Sequence, residues 1–381
     1  MPDVFSCTRP PDAPMRAFPR FLRNALLALA AGLLFALSAV VLPGCGTSAP
    51  EAKYQIAVVP KSVSLDFWNS VQAGARAAAA ELDSTAITWK GTSDESDVAG
   101  QIRIIESFVN QGVDAIVVAA TDSKGLVPTL REAQKQGIPV VTIDSGTAPQ
   151  ISESFIATDN MKAAGKAADL IAEATGGQGT VALIPYVAGA STSNAREQGF
   201  KERLKEHPGL ELVTTRYSKS SYNRAMTVTE DILTSHPDLD AVFAANEPSV
   251  LGAAQALKSR GQAEDVTLVG FDASPREIEG VRSGTIHGLV VQNPYQMGYR
   301  GVKQAMRAIK GESVKKQIDS GSTVVTSENL ESFLQERKNR QSTSAQGGSP
   351  AVQDSSSAKD SLAAQNSSGD PPGNPPARPG T

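Results

Sequence analysis

The chain has 381 residues, of which 40% are hydrophobic but only 5% aromatic, and a net charge of −4. That length suggests about two domains, and the composition is globular with few large anchors. The first 44 residues carry Arg9, Arg16, Arg20 and Arg23 against Asp3 and Asp12, so the remainder stands at −6. An acidic body argues against nucleic acid as a partner, because phosphate binding needs clustered Lys and Arg. Both cysteines, Cys7 and Cys45, precede the globular part, so neither a disulfide framework nor a cysteine metal site is available there.

Residues 1–24 are basic on balance, 25–42 form an uncharged apolar run, and Leu42-Pro43-Gly44-Cys45 follows. This order reads as an export signal over 1–44. A cysteine at the cut resembles the lipobox of bacterial lipoproteins, which implies lipidation of Cys45. The alternative is an uncleaved anchor, since the run is just long enough to span a bilayer. Both readings put the body outside the cytoplasm, with 45–53 as its tether.

Strand and helix patterns then alternate. A strand is expected over 54–59 and a helix over 69–82, where Val71, Ala75, Ala78 and Leu82 repeat at helical spacing. A strand over 87–89 precedes a helix marked by Val98, Ile102, Ile105 and Val109 and stopped by Gly112. A strand over 115–119, a helix through Leu126, Leu130 and Ala133, and strands over 139–143 and 155–157 complete a first half. The pattern restarts with helices over 161–174, 193–206, 224–235, 248–260 and 274–283 between strands over 180–184, 210–215, 240–245, 266–271 and 285–291. The run over 285–291 reads as the last parallel strand, and a helix over 296–310 follows it. Such alternation implies parallel sheets and an α/β fold of two doubly wound halves. From residue 341 the chain is rich in Ser, Gln, Gly and Pro and has no aromatic residue, and 341–381 reads as a disordered tail.

Several strands stop at a polar side chain: Lys61, Asp144, Asn246, Asp272 and Gln292. Open α/β sheets bind ligands at the carboxyl ends of their strands, so these residues are expected to face one crevice. Carboxylates and amides suit sugar hydroxyls, because they accept and donate in fixed planar geometry. For Asp272 the competing reading is a helix cap, since Ser274-Pro275 follows at once. Phe67-Trp68 opens the first helix and is either a core pair or a stacking platform for a ring. Tyr222, at the start of a helix in the second half, either closes the opposite face or caps a helix on the surface. Arg196 adds donors to the crevice or is a solvated charge beside Glu197. For Lys61 a surface lysine is the default.

Catalysis is poorly supported. His207, His236 and His287 have no metal-ligand spacing, and the chain lacks a Gly-x-Ser-x-Gly elbow and a phosphate-cradling loop. Neither a cofactor nor a metal is expected. An acid/base pair of Asp144 and Asp272 is a less economical account than polyol binding.

Several stretches carry a resemblance: Phe67-Trp68-Asn69-Ser70-Val71-Gln72-Ala73-Gly74-Ala75, Gly137-Ile138-Pro139-Val140-Val141-Thr142-Ile143-Asp144, Ala157-Thr158-Asp159-Asn160 and Ala195-Arg196-Glu197-Gln198-Gly199-Phe200. His236-Pro237-Asp238, Val269-Gly270-Phe271-Asp272 and Gln292-Asn293-Pro294 continue the series in order. The chain resembles the type I sugar-binding proteins of bacterial ABC transporters, the ribose-binding group, whose two-lobed fold is shared with lac-repressor-type regulators. The resemblance implies that Phe67 and Trp68 stack on one sugar face and Tyr222 on the other. It implies hydroxyl binding by Asp144 and Asp272, with Arg196, Asn246 and Gln292 adding hydrogen bonds. It also implies hinge crossings at Thr158-Asp159 and Gln292-Asn293 and a third return near 318–324. The first lobe would then span 54–158 plus about 293–321, and the second 159–292 plus about 322–335. Ser145 and Leu65-Asp66 depart from the ribose pattern, and Lys61 is the candidate for the missing donor. The expected function is a lipid-anchored, extracytoplasmic and monomeric receptor that hands a small sugar or polyol to a membrane permease. A sensor lobe serving a chemoreceptor or kinase is the alternative, and a hydrolase is less favoured.

Overall fold

A computed structural model describes residues 52–345. The expected export signal, Cys45, the expected tether up to residue 51 and the expected tail beyond 345 lie outside the described residues.

The first half runs β1 (Tyr54–Val59), α1 (Asp66–Ala80), β2 (Thr85–Trp89), α2 (Val98–Gln111), β3 (Ala115–Val118), α3 (Val127–Lys135), β4 (Val140–Ile143) and β5 (Ser154–Ala157). Its strands lie in the order β2-β1-β3-β4-β5, all parallel. The second half runs α4 (Asn160–Ala174), β6 (Gly179–Ile184), α5 (Ser191–Leu204), β7 (Leu210–Thr215), α6 (Tyr222–Ser235), β8 (Ala241–Ala244), α7 (Glu247–Arg260), β9 (Thr267–Phe271), α8 (Pro275–Arg282) and β10 (Gly288–Gln292). It repeats the same order, β7-β6-β8-β9-β10, again parallel. The protein is therefore a two-lobed α/β molecule. Each sheet buries both faces: Ile56 and Val58 enter one apolar cluster while Ala57 and Val59 enter another. That is why these strands read as continuous apolar runs rather than alternating ones.

The C-terminal segment stitches the lobes together. Helix α9 (Pro294–Ile309) returns to the first sheet, and β11 (Gln317–Asp319) joins its edge beside β5. Strand β12 (Ser322–Thr326) then pairs with β10, and α10 (Leu330–Ala345) packs by α8. Glycines allow α9 to lie close on α1. A Cβ on Gly74 would stand 2.0 Å from the Tyr295 carbonyl oxygen, and one on Gly298 2.0 Å from that of Val71.

The chain crosses between lobes after β5, after β10 and between β11 and β12. The crossings are tied to one another: Ser320 N–H donates to the Ala157 carbonyl at 2.9 Å, and Asp159 N–H to Asp319 Oδ1 at 3.2 Å.

Two expectations need correction. Strand β11 pairs parallel with β5, so β10 is not the last parallel strand. A three-residue strand is too short to announce its pairing. Helix α10 continues to Ala345, past the boundary expected at 341, because a polar composition does not by itself stop a helix already started.

Candidate functional site

In both sheets the chain reverses winding between the two central strands, β1/β3 and β6/β8, and the crevice opens at their carboxyl ends. A cavity lies between the lobes. Eight expected residues line it: Lys61, Phe67, Trp68, Asp144, Arg196, Asn246, Asp272 and Gln292.

Tyr222 does not line it. It occupies the first turn of α6, half-buried, with the Arg276 guanidinium 5.3 Å from its ring centre. The aromatic that the second lobe contributes is Tyr186, which follows β6 as the polar residues follow the other strands. Glu95, Glu247, Leu65 and Pro248 also line the cavity and were not expected. A signal existed for Glu247, which directly follows strand-ending Asn246; Glu95 sits in an irregular loop after β2 that carries no periodicity.

Lys61 is not a surface lysine. Its ammonium lies 2.8 Å from Asp144 Oδ2, and both side chains are almost fully buried. Burial, the largest single influence, would lower the Lys61 pKa, but Asp144, Tyr186 and Glu95 together outweigh it and hold the amine charged, above the usual lysine range. Lys61 also donates to Thr192 Oγ1 of α5 at 3.4 Å, across the cleft. Thr192 accepts from the Tyr186 hydroxyl and lies 3.0 Å from Ser145 Oγ. Burial raises the Tyr186 pKa, so its hydroxyl stays a donor.

Asp272 does not cap α8. Ser274 does so, in a capping box with Glu277. Asp272 instead accepts from Gln292 Nε2 at 2.7 Å and from the Glu247 amide at 3.2 Å, at the start of α7. Its φ of 87° and that of Asp144, 54°, fall in the left-handed region, where a non-glycine residue is strained. The Asp272 carboxylate fixes the Gln292 amide with its nitrogen inward, which leaves Gln292 Oε1 buried without a protein partner. An acceptor in that state suits a ligand hydroxyl.

Burial, with Arg196 opposing it, moves the Asp272 pKa upward. Burial and then the nearby Asp272 charge push Glu247 up to about 7. Glu277, behind them and fully buried, is raised well above the ordinary range by burial first and Asp272 second. Arg196 is 2% exposed and so is not a solvated charge. Its guanidinium stacks 3.7 Å from the Phe271 ring centre and donates to Asn160 Oδ1 at 2.8 Å and to the Ala245 carbonyl at 2.7 Å.

Trp68 is buried, sits edge-on to Phe67 at 4.9 Å between ring centres, and donates its indole N–H to Glu95 Oε1 at 2.8 Å. Asn246 caps α7 through Oδ1 and donates from Nδ2 to Ser220 Oγ at 2.7 Å. Among the described residues no group of three or more His, Cys, Asp or Glu is arranged to hold a metal ion.

A periplasmic binding protein domain model matches residues 56–313, which run from β1 through α9 and include the first two crossings. The chain belongs to that family. It is 30% identical over 298 residues to the D-ribose/D-allose-binding protein of Pseudomonas aeruginosa, covering 74% of this chain and 93% of the relative. An Agrobacterium vitis ABC transporter solute-binding protein solved with bound D-fucose is 38% identical, with a TM-score of 0.72 over 75% of this chain and 99% of that one. A carbohydrate transporter solute-binding protein of Agrobacterium radiobacter in complex with D-arabinose is 34% identical, with a TM-score of 0.72 over 75% and 98% of the two chains.

Proposed function

We propose that the cavity closes on one small sugar or polyol, with Trp68 and Tyr186 supplying aromatic surface and Asp144, Asp272, Arg196, Asn246 and Gln292 meeting its hydroxyls. The protein is the extracytoplasmic substrate-binding component of an ABC importer, and like its family it is a binding protein rather than an enzyme. It delivers its sugar to a membrane permease. The observation that carries the sugar reading is the convergence of strand-terminal polar residues from both sheets on one cavity. Both the hydroxyl-binding pattern and the sugars bound by the relatives support it. The working division is a first lobe of 54–158 plus about 293–321 and a second of 159–292 plus about 322–335, hinged at the three crossings.

A thermal-shift screen over pentoses, hexoses, deoxysugars and inositols tests this, because a ligand that binds only the folded protein raises its melting temperature. At least one ring sugar should do so, with acyclic polyols weaker. A flat response across the whole panel would sink the reading.

The anchor is proposed at Cys45, on the apolar run that precedes it. Cys45→Ser should release the protein from membranes or leave its leader attached; fatty-acid labelling that persists in the variant would count against it. The protein is expected to be a monomer, and a light-scattering mass of a dimer would refute that.

A further inference from the structure

Glu95 belongs to no helix or strand, yet it is 7% exposed and lines the cavity. Both of its oxygens are engaged, and by different lobes. Oε1 accepts from the Trp68 indole at 2.8 Å on its own side; Oε2 accepts from the Ser220 hydroxyl at 2.6 Å across the cleft. Ser220 Oγ accepts in turn from Asn246 Nδ2 at 2.7 Å. One hydrogen-bonded chain thus joins the aromatic face of the first lobe to a strand-end amide of the second.

The other charged contacts across the cleft are longer. Lys61 reaches Thr192 at 3.4 Å, and the Phe67 amide reaches Glu247 Oε2 at 3.5 Å. A short hydrogen bond to a buried carboxylate is the strong kind. The loop that presents Ser220 is itself held under strain, since Lys219 and Ser220 each have φ of 56° without being glycine. Consecutive residues in the left-handed region persist only where the surroundings impose them. Here the Ser220 amide is tied to Ser218 Oγ at 3.3 Å, and Ser218 Oγ lies 2.7 Å from Ser249 Oγ of α7.

We propose that Glu95 is a positioning residue that latches the closed cleft, fixing the Trp68 ring while gripping the Ser220–Asn246 pair of the opposite lobe. The proposal rests on the sugar-binding reading of the cleft. The Ser220 arm forms only when the lobes meet, so it acts after the sugar has entered. Its loss therefore speeds escape and leaves entry alone.

The test is stopped-flow fluorescence with the tightest binder among D-ribose, D-allose, D-fucose and D-arabinose, together with melting of the free protein. Ser220→Ala and Ser220→Gly should each raise the dissociation rate about tenfold, the scale of one hydrogen bond to a charged group. The association rate and the free protein's melting temperature should not fall. The glycine variant separates the latch from the strain, because it relieves the backbone while removing the hydroxyl. Glu95→Ala should release sugar fastest, and Glu95→Gln, which keeps an acceptor for the indole, should fall between it and the wild type. Unchanged dissociation in both Ser220 variants, with sugar still bound by the wild type, would overturn the latch and leave the sugar reading standing. Failure of the wild type to bind any sugar of the thermal-shift panel would take down both.

Discussion

Asp144 and Asp272 hold matching places in the two lobes. Each follows the fourth strand of its half, each has a positive φ, and each donates its amide to the neighbouring strand, Asp144 to Ile156 at 2.8 Å and Asp272 to Val290 at 3.0 Å. The backbone solution is the same and the electrostatics are opposite. Asp144 faces the ammonium of Lys61 at 2.8 Å, whereas Asp272 has an amide and a backbone N–H for partners and two carboxylates, Glu247 and Glu277, for neighbours. One lobe presents a neutralised ion pair to the cavity. The other presents an acidic cluster whose members are pushed toward protonation. The shared backbone shows what a doubly wound sheet imposes at a strand end; the difference shows how freely each lobe then sets the charge.

The largest effect should come from breaking the ion pair. Lys61→Met leaves the Asp144 carboxylate buried without its counter-charge, a loss of about 3–5 kcal/mol. Denaturant unfolding measures this, and Lys61→Met/Asp144→Leu should recover most of it, because removing both charges removes the uncompensated one. A single variant as stable as the wild type would mean that Asp144 has another partner.

Next in size is Asp272→Ala. A hydrogen bond to a charged group contributes about 1.5–3 kcal/mol, so the loss of each one to a sugar hydroxyl should weaken affinity roughly ten- to a hundredfold. Calorimetric titration reads this directly. Because Ser274, not Asp272, caps α8, the melting temperature should not carry the main loss. A lower melting point with affinity intact would place the site elsewhere.

The acidic cluster also makes a pH prediction. Glu247 titrates near 7 when buried beside Asp272, against an ordinary value of 4.5. The folded protein therefore holds a proton that the unfolded chain releases, and its stability rises as pH falls from above 7 toward 4.5. Between pH 8 and pH 6 the gain in folding stability is about 1.4 kcal/mol, read by denaturant unfolding at the two pH values. Glu247→Gln should flatten that slope between pH 6 and 8. A slope that survives the substitution belongs to another group.

The sheets were legible because parallel strands buried on both faces write themselves as unbroken apolar runs, as Ile56 to Val59 and Val140 to Ile143 do. The crevice was legible because five strands end on Lys61, Asp144, Asn246, Asp272 and Gln292, and doubly wound topology sends such ends to one place. Element ends moved by a few residues, as at β10, which begins at Gly288 rather than 285, since terminal turns obey local hydrogen bonds more than periodicity. Glu95 was out of reach: its role depends on Trp68 and Ser220, separated from it by 27 and 125 residues, and no local pattern encodes that meeting. The environment of Lys61 was equally hidden, because the lysine and Asp144 meet only when β1 and β4 flank β3.

The two tyrosines of the second lobe give the smallest and sharpest test. Tyr222 opens α6 and Tyr186 ends a strand, and only the strand-end residue enters the cavity. Tyr186→Phe removes the hydroxyl that donates to Thr192, the same threonine that Lys61 and Ser145 reach across the cleft. One neutral hydrogen bond contributes about 0.5–1.5 kcal/mol, so affinity should fall about two- to tenfold while the ring stays in place. Tyr222→Ala forfeits the Arg276 contact, about 0.5–1 kcal/mol of stability for an exposed cation–π pair, and should leave affinity unchanged. Should Tyr222→Ala weaken sugar binding more than Tyr186→Phe does, the helix-start residue would close the cleft after all, and strand-end position would lose its standing as the rule that selects site residues in this lobe.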